Sequence, residues 1–360
     1  MRQRGFILAA ILLCAVPPAK SQPAGTPSAS IAAQLERYRQ GEFDAVLREL
    51  SAEKDPRRLV RAFIREAEAW FAEGSGSAQQ RRLAAAALAL ELTHARLASD
   101  WRVLRETVEW ASKELDRGQP SAVERTFALA SVALGQRARD SAWLVRSGRS
   151  APRRETPQLD RAIDRFPDEP RLRLAKLVVA SFGMDGDVEA RGRQLSFTHG
   201  KAGAAMAREA LEAAIRDLQT LTRDPEVGAD AQARVAHLFA NLRDHESAVT
   251  QAQTAARAAR EPPTIYAARM LAGRSLVALG RHADAGREYA AALEAVPNGE
   301  SASIALAALA LLAGEPARAS TLVDRAFDQT GPRDDPWRLF PYGEFIRWPR
   351  LIADLRKAMR

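Results

Sequence analysis

The chain has 360 residues, a hydrophobic fraction of 46%, aromatics at only 6% and a formal net charge of +8. This is ample apolar material for a large core, and the absence of alternating β-branched runs excludes a substantial sheet. The single cysteine, Cys14, lies in a leader expected to be removed, which excludes disulfides, thiolate metal sites and a cysteine nucleophile from the mature chain.

Arg2 and Arg4 precede the apolar run Phe6 to Val16, followed by Pro17-Pro18 and Ala19-Lys20-Ser21. A charged start, a short apolar stretch and small residues are the layout of a secretory signal peptide. Eleven apolar residues are too few for a bilayer, which takes about 20. Cleavage is expected after Ser21, with Ala24 as the alternative, giving residues 1–21 as signal and a periplasmic or secreted chain. Bulky Leu13 before Cys14 argues against a lipid anchor. Arg2, Arg4 and Lys20 leave with the leader, lowering the charge from +8 to +5. Such a mild surplus favours anionic surfaces without demonstrating contact with one.

Residues 22–30, made of Pro, Ser, Gly, Ala, Gln and Thr, read as a flexible leader. From Ile31 to about residue 227 the pattern is of irregular helix pairs. Leu35 and Tyr38, then Phe43, Val46 and Leu47, form a first pair about the corner Gln40-Gly41-Glu42. Asp55-Pro56 opens a helix with the stripe Leu59, Phe63, Ala67 and Trp70, broken by Gly74-Ser75-Gly76-Ser77. A long helix then runs from Ala78 to about Ser99. Trp101, Leu104, Val108 and Ala111 line the next, and Val123 to Leu134 another. Arg137 to Arg154 is the most basic stretch, a docking patch for an anionic partner or, as charge runs usually are, a solvated face. Leu159, Ala162 and Phe166 form a short helix, and Pro167-Asp168-Glu169-Pro170 turns into Leu172, Leu174 and Val178.

Residues 182–200 are Gly-rich and polar, and read as an inserted loop. Asp185, Asp187 and Glu189 alternate like calcium ligands, but Ala190 replaces the turn glycine and Ser196 the closing glutamate. Gly200-Lys201-Ala202 lacks the remainder of a phosphate-binding loop. Helix resumes from Ala202 to Leu221.

Residues 228–332 are regular. In Tyr266 to Pro297, Gly273 marks a close helix approach, Gly280 ends the first helix in the left-handed conformation, and Ala285, Tyr289 and Ala292 line the second. Pro297 stops it. Gly314 opens the next corner, and Ala319 repeats Ala285 after 34 residues. Upstream, Leu242-Arg243-Asp244 takes the place of the Leu-Gly-Arg corner, with Ala248 37 residues before Ala285 and Pro262-Pro263 ending the unit.

This spacing of small residues, an aromatic and a terminal proline resembles the tetratricopeptide repeat. The resemblance is specific over 228–332 and covers 31–227 only through paired helices. It implies an all-α fold: a right-handed α-solenoid of stacked antiparallel helix pairs whose first helices line a concave, peptide-binding groove. The ending DDPWRLFPYGEF is also similar to that of exported bacterial tetratricopeptide proteins of unassigned function. The family's Lys and Asn clamp for a carboxylate is not reproduced. The inner positions here are His237, Asn241, Met270 and Arg274, with Ile304 and Leu311 further on.

Residues 333–360 pack Trp337, Phe340, Tyr342, Phe345 and Trp348 into a chain otherwise poor in aromatics, ahead of a last helix from Arg350 to Met359. A solenoid's end repeat lacks a neighbour, so a cap over it is the structural expectation. The functional alternative is an aromatic platform of Trp337, Tyr342 and Trp348 for an extended peptide or a sugar ring.

No nucleophile elbow, HExxH or other metal spacing occurs among His94, His199, His237, His245 and His282. The sequence therefore points to a scaffold with no enzyme activity, cofactor or metal. Its partners are expected to be proteins or peptides of the envelope, with no nucleic acid. A glycan- or ligand-binding envelope protein, and a helical-solenoid cell-wall enzyme, are the alternatives.

Overall fold

The computed structural model describes residues 28–52, 54–73, 78–97, 157–181, 202–327 and 335–340, with scattered helical residues within 103–132, 188–196 and 351–357. Every regular element among them is a helix. In chain order these are α1 (Ser28–Arg39), α2 (Phe43–Ser51), α3 (Pro56–Glu73), α4 (Ala78–Leu97), α5 (Pro157–Arg165), α6 (Pro170–Ser181) and α7 (Gly203–Gln219). There follow α8 (Gly228–Asn241), α9 (His245–Ala258), α10 (Pro262–Ala278), α11 (His282–Ala295), α12 (Glu300–Leu312), α13 (Pro316–Phe327) and the single turn α14 (Pro336–Leu339). The signal, the break at 74–77 and the basic stretch 137–154 lie outside the described residues.

Consecutive helices pack as antiparallel neighbours, α8 on α9, α10 on α11 and α12 on α13, and each pair packs on the next. This is an α-solenoid. Four corners share one geometry. The residues Gly41, Arg243, Gly280 and Gly314 have φ of 96°, 65°, 74° and 76°. Behind each, two backbone N–H groups close the helix end: Gly280 donates to Val277 O at 2.9 Å and Arg281 to Leu276 O at 2.9 Å, with the same pair of bonds at the other three corners. A left-handed residue with this bonding satisfies the last orphan carbonyls. Arginine holds that conformation once, at Arg243, where the sequence departs from glycine.

Between the helices of a unit, small residues let backbones approach. A Cβ on Gly273 would lie 2.4 Å from Cε1 of Tyr289 on α11. The tyrosine ring is buried and fills the space the glycine leaves. Ala248, Ala285, Ala292, Ala319 and Ala326 are all buried at the repeat positions. Towards the N-terminus the core is broader: every residue of α4 from Ala84 to Leu92 is buried, and the helix packs against α1, α2 and α3. A helix apolar all round is one enclosed by others.

Three elements differ from the sequence reading. Helix α1 starts at Ser28, inside the segment expected to be a flexible leader. Helix α10 starts at Pro262, four residues before Tyr266, so the proline pair that follows α9 also opens the next helix; proline's missing N–H costs nothing at a first turn. Within the expected loop 182–200, Val188, Glu189, Arg193, Leu195 and Ser196 are helical. Val188 is buried and Leu195 packs on the core seven residues later, a two-turn spacing. A Cβ on Gly203 would sit 2.5 Å from Ser196 N, so the start of α7 rests directly on that backbone. Glu189 pairs with Arg243 at 2.6 Å, while Asp185 and Asp187 lie outside the described residues.

The described C-terminal residues touch two parts of the array. Asp335 to Phe340 seat against α8, α10 and the first turn of α12. Leu351 joins the core of the N-terminal helices. Arg356 then bonds Glu91 of α4 at 2.5 Å and Asp44 of α2 at 2.9 Å, with its guanidinium over Phe43. Glu91 also accepts from the Tyr38 hydroxyl at 2.5 Å, so a buried carboxylate is met by two donors. Of the segment expected to cap the last pair, Trp337 and Phe340 lie against α8 and α10, and Tyr342, Phe345 and Trp348 lie outside the described residues. On α12 and α13, Ile304, Leu311, Leu312 and Phe327 stay exposed.

Candidate peptide-binding groove

First helices of adjacent units meet. Besides their own partners, α8 and α10 pack on each other. Ala233 and Ala236 of α8 and Ala267, Ala268 and Leu271 of α10 make one cluster with Phe340. Their methyl side chains leave room between the two helices for a ring. Phe340 fills it, 5% exposed, and Trp337 stacks on Phe340 at 6.0 Å with planes 5° apart. Trp337 is half-buried and also touches the cluster around Tyr266 and Tyr289.

Charge holds the same segment. The Arg234 guanidinium lies over the Phe340 ring, 3.8 Å from its centroid, and Arg234 donates to the Phe340 carbonyl. With Arg234 buried, such a cation–π contact is at the strong end of its range, about 2 kcal/mol.

At the other end, Asp335 is 2% exposed. Its Oδ2 accepts from Ser301 N–H at 2.6 Å and from the Tyr266 hydroxyl at 3.3 Å, while Oδ1 accepts from Trp337 N–H at 2.8 Å. Tyr266 in turn accepts from Ala302 N–H at 3.0 Å. Helix α12 begins after Gly299, whose missing side chain can cap nothing. A Cβ there would meet the Tyr266 ring at 2.3 Å, which is why glycine stands at the cap. The carboxylate of Asp335 and the hydroxyl of Tyr266 do the capping instead, satisfying the second and third N–H groups of α12. Burial, with Asp335 next, pushes the Tyr266 phenol well up from its ordinary value.

The sequence-derived positions fall into three groups. His237 and Asn241 are buried together, Nε2 to Nδ2 at 3.3 Å, with the imidazole edge-on to Phe340 at 5.9 Å. They line that space, but beneath the chain's own segment rather than on an open surface. Met270 sits in the core with Val249, Leu276 and Tyr289, one helix face away from the expected inner position. Arg274 is exposed on α10, and Ile304 and Leu311 on α12. Trp337 is engaged with Phe340, not displayed as a free platform; Tyr342 and Trp348 lie outside the described residues. Arg234, Tyr266 as a hydroxyl donor, Asp335 and Phe340 escaped the sequence reading. The available signal was Asp335-Pro336, an N-cap followed by a first-turn proline.

Among the described residues no group of three or more His, Cys, Asp or Glu is placed to hold a metal ion, and no helix is long and apolar enough to cross a membrane.

No protein-family profile and no curated protein matches the sequence. Among solved structures, the crystal structure of MamA aligns at 12% identity over 59% of this chain and 95% of its own, with a TM-score of 0.33. MamA MSR-1 C2 aligns at 14% over 57% and 95%, TM-score 0.31. A chain of the APC/C hetero-tetramer Cut9-Hcn1 aligns at 12% over 88% of this chain, TM-score 0.33, and the match spans 59% of that chain. By its own helix pairs, their left-handed corners and their steps of 34 and 37 residues, this chain is an α-solenoid of stacked helix pairs whose repeat resembles the tetratricopeptide unit.

Proposed function

We propose that this chain is a non-enzymatic scaffold of the cell envelope that binds protein partners along the concave face of its helix pairs. One observation carries the reading: the face formed by α8, α10 and the start of α12 holds a short peptide segment by a buried carboxylate and two aromatic rings. A surface able to do that within the chain has the chemistry to do it for a partner. Arg274, Ile304 and Leu311 extend the face as exposed positive and apolar positions. Export is read from Arg2, Arg4, the run Phe6 to Val16 and the small residues up to Ser21.

The test is in-cell crosslinking of the tagged chain followed by mass spectrometry of what it captures. One or two envelope proteins should recur, and should drop out with Arg274→Glu while the far-ultraviolet spectrum is unchanged. Recovery of nothing but the chain itself, or of cell-wall fragments, would overturn the scaffold reading. The intact mass of the exported protein checks the leader: it should correspond to a start at Gln22.

A further inference from the structure

We propose that the last helix pair joins a second copy of this chain, with α12 of one copy lying antiparallel across α12 of the other about a two-fold axis at Ala308. Of the five large apolar side chains exposed among the described residues, three lie on this one helix: Ile304, Leu311 and Leu312, at 42, 60 and 70%. With Ala308, also exposed, they fall at i, i+7, i+8 and i+4, a single stripe about 100° wide. Residues 301–314 carry no charge. Contiguous apolar surface of this kind marks an interaction site.

The earlier units show what belongs on it. Ile304 stands one step of 34 residues after Met270, and Met270 stands 37 after Ala233. Ala233 is wholly buried, in one cluster with Ala267 and Ala268 of α10. Met270 is 4% exposed, in one cluster with Ala302 of α12. At both earlier steps this position is buried in a cluster shared with the unit that follows, so the natural cover for Ile304 is another helix of this array. Among the described residues no further helix pair follows α13. The first helices of another copy do not fit: Ile31, Leu35, Phe43 and Val46 of α1 and α2 are already buried in their own core with α3 and α4. The stripe therefore meets itself. A two-fold contact is self-complementary, residue i against j and j against i. About an axis at Ala308 the register sets Ile304 against Leu312 of the second copy and Leu311 against Ala305. Ala308 faces itself, and its methyl group lets the two helices approach closely. No like charges oppose each other there, because the stripe carries none. The inference stands apart from the scaffold reading, except that it assigns Ile304 and Leu311 to the second copy and leaves Arg274 to other partners.

The chain from Gln22 holds every described residue and no cysteine, and light scattering over a dilution series reads its mass. Twice the chain mass is expected, falling to a single chain on dilution. Leu311→Glu and Leu312→Glu each change a side chain more than half exposed in one copy, so the far-ultraviolet spectrum should not move. Each should raise the dissociation constant at least about a hundredfold, because a two-fold contact buries the new carboxylate twice without a partner. With oxidised glutathione as the oxidant, Ala308→Cys should form a disulfide-linked dimer faster than Ala283→Cys, an exposed position on α11 away from the axis. A single chain mass at every concentration would overturn the inference. So would a dimer that both glutamate variants leave intact, a polymer that grows with concentration, or linking at Ala283 as fast as at Ala308. A monomer whose captured protein is lost with Leu311→Glu would overturn it too, giving the stripe to a different protein. Loss of capture with Arg274→Glu is read at another residue and by mass spectrometry, so the scaffold reading stands or fails separately.

Discussion

Gly273→Ala adds one methyl group at the tightest helix contact among the regular units. In isolation the change favours the helix, because alanine outranks glycine by about 1 kcal/mol in a helix interior. In this structure the new Cβ would lie 2.4, 2.7 and 2.8 Å from Cε1, Cδ1 and Cζ of Tyr289. The ring is 5% exposed and wedged between α10 and α11, so it has no solvent side to retreat to. Overpacking of this kind costs about 1–3 kcal/mol; with three ring atoms inside contact distance the upper half applies. The net expectation is a loss of roughly 1–2 kcal/mol. Urea denaturation followed by far-ultraviolet circular dichroism measures it. The causal link is checked by a double-mutant cycle with Tyr289→Leu, which removes the ring. In that background Gly273→Ala should be neutral or stabilising, giving a coupling of roughly 2 kcal/mol. Gly286→Ala is the matched control, because its Cβ would meet only Leu309 Cδ1 at an ordinary 3.9 Å. It should stabilise by up to about 1 kcal/mol. Additivity of Gly273→Ala with Tyr289→Leu, or a gain from Gly273→Ala alone, would refute the contact argument.

Other outcomes follow from the same geometry. Gly280→Ala has free space around it but a φ of 74°, so it should cost about 1–2 kcal/mol through backbone strain alone, while Arg243→Gly should gain up to about 1 kcal/mol, less the small loss of its exposed pair with Glu189. Arg356→Ala strands the buried Glu91 carboxylate with only the Tyr38 hydroxyl, which should cost roughly 3 kcal/mol; adding Glu91→Gln should recover much of it, as thermal melts of the two variants would show. Tyr38, Tyr266 and Tyr289 all have phenols pushed up, each first by burial, with Glu91 next for Tyr38 and Asp335 next for Tyr266; Tyr289 reaches about 12. Their contribution is complete below the ordinary value near 10 and is lost as pH rises above it, because the unfolded chain ionises first. Each buried phenol removes up to about 1.4 kcal/mol per pH unit in that window. Ultraviolet titration should show these tyrosines ionising together with unfolding rather than ahead of it.

The repeat itself was legible in the sequence because its constraints are local. Gly273 announces a close approach, Gly280 and Gly314 a left-handed corner, and Ala285, Tyr289 and Ala292 a face at helical spacing. The corner at Arg243 was recognisable only by its place in the series, since arginine carries no preference for that conformation. The helical residues within 182–200 were missed because two apolar contacts, Val188 and Leu195, are too few to produce a visible period. The groove was half visible. His237 and Asn241 were placed on the inner face by their register, but what covers them comes from a hundred residues further along, and no local pattern joins Arg234 to Phe340. Met270 was assigned to the groove by that same counting, and the rotation of α10 turns it into the core instead.

The bond from Arg356 to Asp44 spans 312 positions of the chain. In an array where each unit touches only its neighbours, the ends can fray one unit at a time and a partial chain can fold as it appears. Fastening the last residues to the first helices removes that freedom. The closure entropy for a loop of this size exceeds that of one 34-residue step by about 2 kcal/mol, and it is recovered only when Arg356 reaches α2 and α4. Glu91 therefore gains its cation only once a contact between residues 265 positions apart has closed, which makes this a long-range rather than a unit-by-unit step.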